Sequence, residues 1–522
     1  MLYGDPTEEL FQALAGGSHQ AATTQYAGTS RQPTVAEKSS NIKGPGGGAP
    51  SRLTKSLAAM PVLHAPDHIV SQWVRGPNWR ESLSDQRGNG SASADGEIAL
   101  DLIEEGGLRR WRMRNGTSGN TRGAGNGNDG LPGSQIAKLL ADERVRAVLP
   151  SKRGVMRVVG RWIISGLKDG ALGLVREYDR EQVKNEGLLI VNGATTANLA
   201  PATRSLVGSS SSHTNRALVL VHGTFSKTAS PVEGFGPSFI EWARQNYRVV
   251  LGFDHWTLSK SPDENAELLA NQLRAFDADL MTGGRIDLVT HSRGGLVARA
   301  FCLDHADAVR NLVFLGTPNC GTDLANPKNW GSFADLLVNM TGIDSAELFG
   351  RMAGLLAQLA AAGVVSDVPG LLAQSPEAAS TDGSFLNRLQ SASVDHKRIR
   401  YGVVCSEFEP ATLVPNLKKI VKAAADASLD KAVDALFAGA NDLVVNTPYA
   451  WGIGRGPNDL TSLPQFLPKN RVLVYRPPTV AGANEFAPPD GVMTEEALGI
   501  HHCNLFGQRR VQEALKTWLT EV

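Results

Sequence analysis

The sequence is poor in cysteine, with four in 522 residues: Cys302, Cys320, Cys405 and Cys503. Four thiols in so long a chain build no disulfide framework, and none stands in a C-x-x-C pair, so neither a cystine-stapled scaffold nor a thioredoxin-like redox motif is expected. Net charge is missing too. The 52 lysines and arginines balance 52 aspartates and glutamates, which removes any general attraction to nucleic acid or an anionic membrane. No basic segment followed by an apolar run opens the chain, so no secretory leader is expected. The longest apolar stretch, residues 354–365, is interrupted by Gln358 and too short to cross a bilayer. These deficits lead to the expectation of a soluble cytoplasmic protein with no nucleic-acid partner.

Glycine, by contrast, is abundant. Its 55 copies exceed a tenth of the chain, where about 7% is usual. The excess gathers toward the front, in tracts of Gly, Ser, Thr, Pro and Asn at residues 18–50, 87–94 and 115–134. Such composition buries too little apolar surface to offset the entropy of ordering, so residues 1–150 are expected to be largely flexible, with short helical pieces at 97–105 and 135–149. Residues 151–215 differ: MRVVGRWII, LGLVREY and GLLIVNG read as short strands of a small lead-in.

From residue 216 onward, apolar runs alternate with helical patterns. Strands are expected at 217–221, 247–253, 286–290, 311–315, 400–405 and 471–475, and helices at 264–276, 295–306 and 417–437. This alternation predicts an α/β domain over 216–522, with a mostly parallel sheet covered by helices on both faces. Chemistry in such sheets gathers at the carboxyl ends of the strands.

Three segments carry residues of catalytic type. In the first, IDLVTHSRGGLVARAF, a strand turns at Ser292 directly into a helix, which would hold the serine oxygen above the sheet. In the second, ALVLVHGTFS, a buried strand ends in His222-Gly223. The third pairs GANDLVVNTPYA, containing Asp442, with ALGIHHCNLFG, containing His501 and His502. A neutral imidazole near pH 7 takes a proton from a serine hydroxyl, and a buried carboxylate fixes its tautomer.

These motifs, in this order, resemble the lipase and esterase branch of the α/β-hydrolase superfamily over about the last 300 residues. The serine segment is similar to the G-x-S-x-G nucleophile elbow, except that Thr290 stands where the pattern has Gly. LVFLGTPNCGTDLA, from Leu312, is similar to the LGTP-x-x-G segment found after the next strand of many lipases. The resemblance implies an α/β-hydrolase fold in which Ser292 is the nucleophile, His502 the base and Asp442 the acid. It also implies that the backbone N–H groups of Thr224 and Arg293 form the oxyanion hole. His501 is the alternative base. Asp434, Asp287 and Asp254 are the rival acids, and His222 is read as ordering its loop. Residues 323–395 fall where this superfamily inserts a cap, here expected as one or two helices over the serine.

Several weaker patterns are set aside. The run from Gly125 to Gly130 formally matches G-x-G-x-x-G but has neither the strand before it nor the helix after it that a dinucleotide needs. His501-His502-Cys503 lacks a second ligand pair, so no metal is expected, and no cofactor either. A Cys503 nucleophile has no supporting signature, and Asp254-His255-Trp256 reads equally as pocket lining or as packing. The expected activity is cleavage of a carboxylic ester of lipid-like or hydrophobic acyl character. Amide cleavage by the same residues and a non-catalytic binding or assembly module are the alternatives. A peripheral membrane contact through the cap and a protein partner for the N-terminal region stay open.

Overall fold

The structure is a computed structural model that describes residues 72–75, 98–105, 108–115, 155–164, 167–203, 214–326, 329–339, 368–376, 384–392, 398–408, 440–478 and 487–521, with a few isolated positions between them. The glycine-rich tracts, the helices expected at 135–149 and 417–437, and Asp434 lie outside the described residues.

The described residues form two sheets. The smaller is antiparallel, in the order β1-β4-β2-β3, from β1 (Gln72–Arg75), β2 (Ile98–Glu105), β3 (Leu108–Asn115) and β4 (Val155–Ile164). Within 97–105, expected as a helical piece, residues 98–105 therefore form strand β2. In β2, Leu100, Asp101, Leu102 and Ile103 are all buried, and a short apolar run of this kind is not separated by its spacing from a helical turn. The segment LGLVREY is corrected in the other direction: it lies within helix α1 (Leu167–Gln182), which buries Val175, Tyr178 and Asp179 along one side.

Among the described residues, the larger sheet has nine strands in the order β13-β12-β11-β10-β9-β7-β8-β5-β6. They are β5 (Gly187–Val191), β6 (Leu199–Pro201), β7 (Ala217–Val221), β8 (Val249–Asp254), β9 (Ile286–His291), β10 (Val309–Leu315), β11 (Arg400–Ser406), β12 (Val472–Arg476) and β13 (Met493–Glu496). Only the pairings made by β5 are antiparallel; the others are parallel. The expected lead-in at 151–215 is thus divided, with β4 in the small sheet and β5 and β6 in the large one.

Both faces of the large sheet are covered, as the unbroken apolar strands require. Along β7, Val219 and Val221 pack on one side with Leu269, Leu273, Leu296 and Phe301, from α3 (Pro262–Phe276) and α4 (Gly294–His305). Leu218 and Leu220 pack on the other with Phe239, Ile240, Leu515 and Trp518, from α2 (Ala229–Asn246) and α8 (Arg509–Thr520). Helix α3 starts from a capping box between Ser261 and Glu264, with Pro262 in its first turn. This is the α/β-hydrolase fold.

Within the insertion the described helices are α5 (Trp330–Asn339), the single turn α6 (Pro369–Leu372) and α7 (Phe385–Ser391). Helix α5 packs on β3, where Asp335 Oδ1 accepts from the Trp111 backbone N–H at 2.6 Å.

One buried carboxylate fixes the loop after β8. Asp179 accepts from the N–H groups of Thr257 (3.0 Å), Leu258 (3.2 Å) and Ser259 (2.7 Å), and from the Ser259 hydroxyl at 2.6 Å. Asp179→Ala leaves these donors buried without an acceptor. A loss of about 2–4 kcal/mol in unfolding free energy is expected, read as a lowered urea midpoint, with Asp179→Asn milder because one acceptor oxygen remains.

Candidate active site

The chain leaves β7 toward β8 on one side and returns to β9 on the other, so the carboxyl ends of β7 and β9 open a crevice at the switch point. Ser292 lies at the end of β9 with φ of 52°, a left-handed conformation that side-chain-bearing residues rarely adopt. The Ser292 N–H donates to Leu315 O at 2.9 Å, which ties the turn to the end of β10. From the other side Gly223 presses on it: a Cβ at position 223 would lie 2.5 Å from the Ser292 Cβ, so the His222-Gly223 loop reaches the serine only because residue 223 has no side chain. Thr290 fits where a glycine is usual because its hydroxyl donates to Val313 O at 2.9 Å within the sheet.

Asp442 and His502 meet across the loops that follow β11 and β13. Asp442 Oδ2 lies 2.7 Å from His502 Nδ1, while Oδ1 accepts from the N–H groups of Val444 (3.0 Å) and Val445 (2.7 Å). The His502 N–H donates to Asp442 O at 3.0 Å, so backbone and ring are held by the same residue. Gly316, at φ of 57°, passes beneath the pair, and a Cβ there would lie 2.9 Å from His502 Nδ1. The LGTP segment therefore carries its glycine where the chain must clear this pair.

Ser292 and His502 line one cavity together with Thr224, Phe225, His291, Leu371 and Gln374. The water-accessible volume of this cavity is about 70 Å³, far below the roughly 300 Å³ lower bound of ordinary ligand pockets.

The other candidate residues have different partners. His501 does not join Asp442; it is buried edge-on to Phe408, with its Nδ1 3.3 Å from the Cys503 N–H. Asp287 is buried at the start of β9, accepting from Arg216 (2.6 Å), Tyr247 (2.7 Å) and Asn311 (2.8 Å). Asp254 accepts from the Thr228 N–H at 2.6 Å. Burial beside the Asp442 charge pushes the Cys503 thiol up to about 12, which keeps it protonated at neutral pH. His255 and Trp256 pack rather than line the cavity: His255 stacks on His222 and Phe253, and the Trp256 indole donates to Val183 O. The Arg293 side chain is wholly buried and donates to Lys260 O at 2.6 Å, and burial pulls its guanidinium down to about 10. Its backbone N–H stands at the start of α4, where no earlier turn offers an acceptor.

One participant escaped the motifs. His291, the residue before the serine, sets its Nε2 2.8 Å from the His502 carbonyl oxygen and its ring 4.6 Å from the His502 ring. As donor, the His291 Nε2–H steadies the residue that carries the imidazole. Burial, and then the neighbouring His502, hold its imidazole well below the ordinary range. A histidine inside an elbow motif carries no distinctive spacing, so only the fold exposes its role.

The family model described as "Domain of unknown function (DUF7379)" matches residues 188–520. The chain is 31% identical over 106 residues to a probable lysophospholipase, BODYGUARD 1, of Arabidopsis thaliana, a match covering 19% of this chain and 22% of that protein. A second Arabidopsis protein of that description, BODYGUARD 2, is 27% identical over 108 residues, and the chain spans about a fifth of the length of these curated relatives. Among solved structures, a Bacillus subtilis carboxylesterase is 12% identical, with 68% of this chain and 98% of that one covered at a TM-score of 0.31. The mature form of a Bacillus licheniformis lipase is 15% identical, with 59% and 94% covered at a TM-score of 0.30.

Burial keeps His222, His255 and His291 neutral in the folded protein, with all three held below 6.5. In the unfolded chain a histidine titrates near about 6.5, so below that pH the unfolded state binds more protons and folding weakens. Stability is expected to be full above pH 6.5 and to fall at lower pH, by up to about 1.4 kcal/mol per pH unit for each histidine. Urea midpoints between pH 7.5 and 5 check this, and His255→Phe should give a shallower slope.

Proposed function

The chain belongs to the DUF7379 family, and from that premise we propose that it is a serine hydrolase that cleaves carboxylic esters. The observation that carries the proposal is the buried Asp442–His502 hydrogen bond of 2.7 Å, in a cavity that the strained Ser292 also lines. Asp442 binds the Nδ1–H of His502, leaving Nε2 to take the Ser292 proton as the hydroxyl oxygen attacks the ester carbonyl. The backbone N–H groups of Thr224 and Arg293 face the charge that develops on the carbonyl oxygen. The carbonyl re-forms with loss of the alcohol, to which His502 returns the proton. Water, deprotonated by the same imidazole, then cleaves the acyl-enzyme and frees Ser292.

A hydrophobic, lipid-like acyl group is the substrate class we favour, since Phe225, Leu324, Leu371, Val444 and Phe506 supply apolar lining. The probable lysophospholipases of Arabidopsis point the same way. The closed volume of the cavity implies that the insertion, which contributes Leu371 and Gln374, moves to admit such a chain.

A fluorophosphonate probe is expected to label the full-length protein at Ser292 and to leave Ser292→Ala unlabelled. Turnover of p-nitrophenyl esters should rise with acyl length and fall about 10⁴-fold in Asp442→Asn. Folded protein that neither labels nor turns over any ester would overturn the proposal.

A further inference from the structure

Gln374 comes from the insertion, yet its side chain ends inside the candidate site. It is 4% exposed, and its Nε2 donates to Gly370 O at 2.7 Å and to Thr224 Oγ1 at 3.3 Å. A backbone carbonyl only accepts, so the bond to Gly370 fixes which end of the amide faces inward. The Thr224 hydroxyl is then an acceptor toward Gln374, and its own hydrogen is left to point elsewhere. Thr224 lines the cavity with Ser292 and His502.

The insertion is held against this loop by a second route. The Gly370 N–H donates to Leu258 O at 2.9 Å, which docks α6 on the loop that Asp179 clamps. Thr257 in the same loop takes the N–H of Phe225 on its hydroxyl at 3.3 Å, and Phe225 is held left-handed at φ of 59°. Loop 257–259 therefore grips both the segment after Gly223 and the turn that carries Gln374. The Gln374 carbonyl also accepts the Thr322 N–H at 2.8 Å, so the residue is fixed at backbone and side chain alike.

We propose that the Thr224 side-chain hydroxyl is an additional oxyanion donor, and that Gln374 is the positioning residue that turns its hydrogen toward the substrate. Accepting one hydrogen bond polarises the hydroxyl and strengthens the one it donates. The oxyanion site is then complete only while the insertion is docked, which links substrate closure to transition-state stabilisation. This inference rests on the hydrolase reading given above.

The test uses the full-length protein with p-nitrophenyl butyrate, together with a trifluoromethyl ketone that forms a tetrahedral oxyanion on the nucleophilic serine. Thr224→Val keeps the shape and removes the hydroxyl. Its kcat is expected to fall by about 10–10², with KM within about twofold, and ketone affinity should fall by a similar factor. Thr224→Ser should restore kcat to within about threefold of the original. Gln374→Met should lower kcat by a smaller factor and add nothing in the double variant with Thr224→Val, because both act through one hydroxyl. Unchanged kcat and ketone affinity in Thr224→Val, with turnover still dependent on Ser292, overturn this inference alone. So do fully additive effects of the two substitutions. Turnover that survives Ser292→Ala overturns the hydrolase reading itself, and this inference with it.

Discussion

The left-handed turn at Ser292 is the constraint around which the large sheet is organised. A serine at φ of 52° persists only if its surroundings over-determine it. Here they do so from two directions, through the Leu315 carbonyl that receives its N–H and through the side-chain-free backbone of Gly223. Both neighbours sit at the carboxyl ends of strands flanking β9, and their positions follow from the parallel registers of β7 with β9 and of β9 with β10. A one-residue slip in either pairing would turn the buried faces of these strands over. The apolar alternation that fills the two core layers is therefore also what aims the serine.

Close to that turn lie three buried histidines, one of them adjacent in sequence to the serine. His222, His255 and His291 are buried and held uncharged, and His222 and His255 stack at 4.1 Å, a distance that two cations would not tolerate. The neutrality of His291 matters most, since its ring lies beside that of His502. In the proposed reaction His502 becomes an imidazolium, and a charged neighbour would oppose that step. Burial removes the opposition while leaving the His291 Nε2–H to hold the His502 carbonyl. Among the described residues, only Asp442 offers the developing cation a direct carboxylate contact, at 2.7 Å.

How much of this was legible in the sequence depended on whether the signal was local. Strands with continuous apolar runs, such as Ala217–Val221 and the Leu312–Leu315 end of β10, read correctly, although β10 begins at Val309 rather than at 311. Ser292, Asp442 and His502 stood in short motifs, and spacing favoured His502 over His501; the fold sets Asp442 beside His502. Elements whose signal is interrupted were missed. Helix α2 breaks at Gly236-Pro237, which hides its period, and β13 (Met493–Glu496) is mostly exposed and polar. Residues 97–105 and LGLVREY were exchanged between strand and helix because runs of this length satisfy both periods. His291 and Gln374 had no motif at all, since their roles arise from contacts across 211 and 150 residues of chain.

Those long-range contacts also revise where the functional unit begins. The family match starts at residue 188, yet Asp179 of α1 fixes the loop on which the Phe225 N–H and the α6 turn both depend. Further forward, the Trp111 N–H in β3 is held by Asp335 of the insertion. The insertion is thus anchored at two ends by residues that the family model does not cover: through Asp335 to the small sheet, and through loop 257–259 to Asp179. Where α5 meets β3, the insertion moves only by giving up the Asp335 contact with the Trp111 N–H. A segment beginning at residue 188 would keep Ser292, Asp442 and His502 but lose both anchors. It would carry the chemical groups of the site without the Asp179 clamp on loop 257–259, the loop on which the turn bearing Gln374 docks.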